Sequence, residues 1–86
     1  MNARQRQYYI DAITANRKIW QGINELQALQ KESNAMDLGN TLPDGEEGTD
    51  FEGITKTEIL AVVHDTANAL QVVLNAGHAT NMANLL

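Results

Sequence analysis

Residues Asp37–Gly53 read DLGNTLPDGEEGTDFEG and hold four of the chain's six glycines and its only proline. In a helix interior glycine costs ~1 kcal/mol and proline ~3 kcal/mol relative to alanine. No helix is expected to run through this stretch, so the 86-residue chain divides into two helical sequences and a tail. The same 17 residues carry six carboxylates and no basic side chain, while outside them five acids stand against six bases. The net charge of -5 is therefore a property of the connector.

Upstream, residues from about 2 to 36 contain one glycine and no proline and are rich in good helix formers. Tyr9, Ala12, Asn16, Ile19, Ile23, Leu26 and Gln30 recur at alternating spacings of three and four. This is the ~3.5-residue period of a left-handed helix–helix contact. Tyr8, Ile13, Trp20 and Leu29 flank the seam and widen it to the width of a bundle helix. Asn16 falls on the seam among apolar neighbours, and Gly22 lies inside the helix.

Downstream, Thr55 and Glu58 have the spacing of a capping box, with Ile54 and Ile59 as its hydrophobic staple. The second helix is expected from Lys56 to about residue 76. Its seam is Ile59, Val63, Thr66, Leu70 and Val73, flanked by Leu60, Ala67 and Leu74, with Gly77 placed as a C-terminal cap. Two matching seams joined by a flexible loop predict an all-α fold. It is one domain over 1–86, an antiparallel helical hairpin with a long acidic inter-helix loop at 37–53 and a short helical tail at 77–86. The first helix outruns the second by roughly 15 Å at ~1.5 Å per residue, which leaves apolar surface near Tyr8, Tyr9 and Ile10 in need of a partner.

A chain this short buries little of its surface alone. Without cysteine it has no disulfide, and it has no Cys/His cluster for zinc, so association is the expected source of further stability. No apolar run reaches the ~18 residues of a membrane span. The acidic balance disfavours nucleic acid as a partner. The first 20 residues carry Arg4, Arg6, Arg17 and Lys18 against Asp11 alone, a basic arm opposite in sign to the loop. Read from Asp44, the loop has Thr49 where an EF-hand needs glycine, so no metal site is expected. No nucleophile–base constellation, phosphate loop, HExxH or CxxC occurs either, and no enzyme, cofactor or small-molecule substrate is expected.

The opening NARQRQYYIDAI and the closing GHATNMANLL, with GITKTEILAVVHDTANAL between them, resemble small helical head-associated structural proteins of tailed bacteriophages. Ala3, Arg4, Gln5, Gln7 and Tyr8 carry the likeness at one end, and Gly77, His78, Thr80 and Asn81 at the other; Met82 stands where the family pattern has leucine. The resemblance implies a non-enzymatic virion component, assembled in the host cytoplasm in many copies. It would decorate or stabilise the head, or join head to tail, with capsid, connector or its own copies as partners. The alternative is a cytosolic helical adaptor or small regulator. On either reading the interaction residues are the seams (Tyr9, Ile19, Trp20, Ile23, Leu26, Ile59, Val63, Leu70, Val73) and a possible partner-facing set (Arg4, Arg6, Tyr8, Met82, Leu85, Leu86).

Overall fold

The computed structural model describes residues 1–85 and is all-α, with no strand among them. Helix α1 spans Ala3–Ala35. Its start is a reciprocal capping box: the Asn2 side chain accepts from the Gln5 N–H at 2.8 Å, and the Gln5 side chain accepts from the Asn2 N–H at 2.9 Å. These bonds satisfy donors that open every helix and offset the unfavourable placing of Arg4 and Arg6 at the positive end of the dipole. The helix closes with the Met36 N–H on the Glu32 carbonyl at 2.9 Å. Asp37 then turns the chain with a left-handed φ of 54°, a region that aspartate tolerates better than most residues.

The connector is folded on itself. A single turn, α2 (Leu38–Thr41), leads to a clasp in which the Gly45 N–H donates to the Ile54 carbonyl and the Lys56 N–H to the Asp44 carboxylate, both at 2.9 Å. Between the ends of the clasp, Gly48 and Gly53 both take φ of 83°, and the Thr49 hydroxyl donates to the Glu46 carbonyl at 2.6 Å. The carboxylate of Asp44 thereby sits at the N-terminus of the next helix, where the backbone dipole favours it.

That helix begins with α3 (Lys56–Ala61). Thr55 is the N-cap, its hydroxyl accepting from the Glu58 N–H at 3.1 Å. A π-helical turn at Val62–Thr66 follows and continues without a break into α4 (Ala67–Leu74). A π turn holds one residue more than an α turn, so beyond it the residues that face α1 lie one position further along the chain. The buried column there is Ala67 and Leu74, with Gln71 half-buried between them. This corrects the expected seam: Leu70 is 39% exposed, Val73 is 65% exposed and Thr66 is exposed. Ile59 is also exposed, at the level of the clasp rather than of α1.

On α1 the buried column passes through Ile13, Ile23 and Ser33, with Asn16, Trp20, Leu26 and Gln30 half-buried. Tyr9 and Ile19, expected on the seam, face solvent; the large Trp20 ring takes the contact instead. The centre of the core is Ile23, Ala67 and Leu74, with Trp20, Leu26 and Ala79 packed against it. Ala67 is small enough to bring the helices together over Ile23. α1 and α4 run in opposite directions, since Gln27 donates to Gln71 at 2.8 Å while Asn16, earlier in α1, reaches Ala79.

After Leu74 the path bends by 86° into α5 (Gly77–Ala83). Ala76, with ψ of 137°, makes the bend. Gly77 opens α5 rather than capping the helix before it, contrary to expectation. The capping bond comes from Thr80, whose hydroxyl donates to the Leu74 carbonyl at 3.1 Å. α5 lies across α1, held by the Asn16 amide on the Ala79 carbonyl (2.9 Å) and by the Arg17 guanidinium on the carbonyls of Ala83 (3.1 Å) and Leu85.

Candidate interaction site

The rotated register leaves a band of apolar side chains without cover. Ile19, Leu29, Val62, Leu70 and Val73 are exposed, and Leu26 is half-buried. At 3.6 residues per turn, Ile19, Leu26 and Leu29 lie to one side of the buried column of α1. Leu70 and Val73 are displaced in the same sense along a helix of opposite direction, so they fall on the same side of the pair. The two half-stripes join into one uncharged strip, with Gly22 and Thr66 between the larger residues. Lys18, Glu25 and Glu32 border it along α1, and Asp65 along the other helix. The opposite side of α1 carries Gln21, Asn24, Gln27 and Lys31. The strip is thus confined to one side of the molecule.

Two further features lie at the ends. At the connector, Leu42, Pro43, Phe51, Ile54 and Ile59 line an open cleft of about 400 Å³ with Asp44 and Glu46 at its edge. At the other end Met1–Tyr9 are all exposed. There Arg4 approaches Asp11 at 3.7 Å and lies 6.0 Å from the centroid of the Tyr8 ring. Of the partner-facing candidates, Arg4, Arg6, Tyr8 and Leu85 are exposed and Met82 is half-buried in α5. Leu86 lies outside the described residues.

The seam candidates separate into two groups. Trp20, Ile23, Leu26 and Val63 are buried or half-buried, whereas Tyr9, Ile19, Ile59, Leu70 and Val73 are exposed. The contacts of Asn16, Arg17 and Thr80 with α5 and its approach were not foreseen; only the polar Asn16 on an apolar stripe pointed to one of them. The indole N–H of the half-buried Trp20 meets no protein acceptor among the described residues. Among the described residues, no group of three or more His, Cys, Asp or Glu is placed to hold a metal ion. Among the same residues no single helix is long and apolar enough to cross a membrane; the bent pair Lys56–Leu74 and Gly77–Ala83 meets that length and composition only when taken together. The chain matches no protein-family model, no curated protein and no solved structure.

Proposed function

We propose that the chain is a non-enzymatic structural component of a tailed-phage virion, assembled in many copies on the head or at the head–tail joint. Its working unit on this reading is an antiparallel helical hairpin whose acidic loop and helical tail are part of the assembly surface. One observation carries the assembly half of this reading. The chain exposes 6543 Å², whereas a compact monomer of 9.5 kDa exposes about 5,000 Å². The radius of gyration tells the same way, 17.3 Å against about 12 Å for a compact chain of this length. Surface in excess by about 1,500 Å² is what a subunit covers on joining neighbours. The virion half rests on the resemblance of Ala3–Tyr8 and Gly77–Asn81 described above.

The test is mass spectrometry of purified particles from the phage that encodes the chain. A stoichiometric signal comparable to that of other head proteins is expected. Absence of the chain from intact virions, while it is present in infected cells, rejects the virion reading.

A further inference from the structure

We infer that the uncharged strip is a self-association face, and that two copies of the chain pack strip to strip about a two-fold axis into a four-helix dimer. The inference deepens the assembly reading by naming the first partner, and it does not depend on the virion. Three observations lead to a second copy rather than another protein.

The first is area. An interface of standard size covers about 800 Å² on each partner, roughly half of the excess surface of this chain. The strip is the one place among the described residues where exposed apolar side chains of both long helices share a side. Two such pairs stacked face to face make a four-helix bundle, in which each helix finds the second neighbour its apolar stripe requires.

The second is shape. Gly22 sits in the middle of the strip, and no atom lies within 4 Å of the position its Cβ would occupy. Within one copy nothing requires glycine there, although glycine costs ~1 kcal/mol in a helix. A side chain of a second copy seated over this point supplies the requirement, because a residue without a side chain leaves room for it.

The third is charge. Lys18 and Glu32 are each seven residues from Glu25 and share one edge of α1. A two-fold axis lying in the strip and crossing α1 at right angles near Glu25 runs α1 antiparallel over its copy. Lys18 of one copy then stands level with Glu32 of the other, twice. Such an isologous contact is self-complementary. Either direction sets Glu25 level with its own copy, but a parallel pairing also sets Lys18 level with Lys18 and Glu32 level with Glu32.

Sedimentation equilibrium of the full chain tests the proposal. The expected mass at micromolar concentration is twice the 9.5 kDa of the chain. Gly22→Arg is expected to reduce it to that of one chain without loss of helical circular dichroism, since the position is open within one copy. Lys18→Glu is expected to weaken the dimer tenfold or more, and adding Glu32→Lys to restore it to within about threefold. These two exposed positions serve where Gly22→Arg fails to fold. A wild-type mass of one chain at all concentrations gives the strip to a different protein and overturns the proposal. So does a dimer indifferent to Gly22→Arg, or a charge reversal that its complement does not rescue. The sedimentation mass and the virion spectrum fail independently, so a dimer absent from particles sinks the virion reading alone.

Discussion

Leu70 and Leu74 are one helical turn apart, and replacing each in turn by alanine measures the register that the π turn imposes. Leu→Ala removes three carbon atoms, worth about 2.4 kcal/mol of transfer free energy at ~0.8 kcal/mol each. Leu74 is 4% exposed and lies in the central cluster with Ile23 and Ala67, so its loss also leaves a cavity. The total is expected near 3 kcal/mol, toward the lower part of the range for buried leucines because the core is thin. Leu70 is 39% exposed. Only about three-fifths of the transfer term applies there, no enclosed cavity forms, and about 1–1.5 kcal/mol is expected. Domains of this length have roughly 4–13 kcal/mol to lose, so Leu74→Ala removes a large share and Leu70→Ala a small one. Urea titration followed by Trp20 fluorescence is the assay, because Trp20 packs on the same cluster. It is run at concentrations low enough for the midpoint to be independent of concentration, so that any association does not enter. If Leu70→Ala costs as much as Leu74→Ala or more, the helix is not rotated by a π turn and the register argument fails.

Gly45→Ala is expected to open the connector, because a Cβ there would stand 1.8 Å from the Phe51 carbonyl oxygen; amide exchange at position 45 and at Lys56, the two donors of the clasp, should rise at least tenfold, with α1 unaffected. Unchanged exchange at those amides would mean that the clasp does not form. Asn16→Ala removes the bond to Ala79 and should cost about 1 kcal/mol, with exchange rising in Gly77–Ala83 before it rises in α4; uniform loosening of both helices would show that α5 is not separately held.

The positions of the two long helices were legible in the sequence, for local reasons. Glycine and proline mark the break between them, and the hydroxyl of Thr55 is placed to accept from the Glu58 N–H before any tertiary contact exists. The partners of the second helix were less legible. Periodicity locates an apolar stripe but assumes a constant number of residues per turn, and the single surplus residue in Val62–Thr66 moves every later position by one. Nothing in VVHDT announces this, since each of these residues is ordinary in an α-helix. Gly77 was misplaced for a related reason. A glycine after an apolar helix is an excellent cap, but the 86° bend is made by the extended backbone of Ala76, and Thr80 supplies the missing donor from further along. The choice of Trp20 over Ile19 at the contact is a matter of size, which a spacing rule does not weigh. The apolar strip was present in the sequence as the expected seam; the structure turned much of it from an internal contact into an outer face.

The hydrogen bond between Gly45 and Ile54 brings together the two ends of an eight-residue excursion, 46–53, before the chain enters the second helix. The length of that excursion is therefore uncoupled from the spacing of the helices. Doubling a flexible loop costs only ~0.6 kcal/mol in closure entropy, and Gly48 at its turn is exposed with open space around it. The position is thus a natural insertion point. An epitope or a fluorophore-binding peptide placed after Gly48 would extend outward from the closed base of the clasp and mark the chain without altering how it folds.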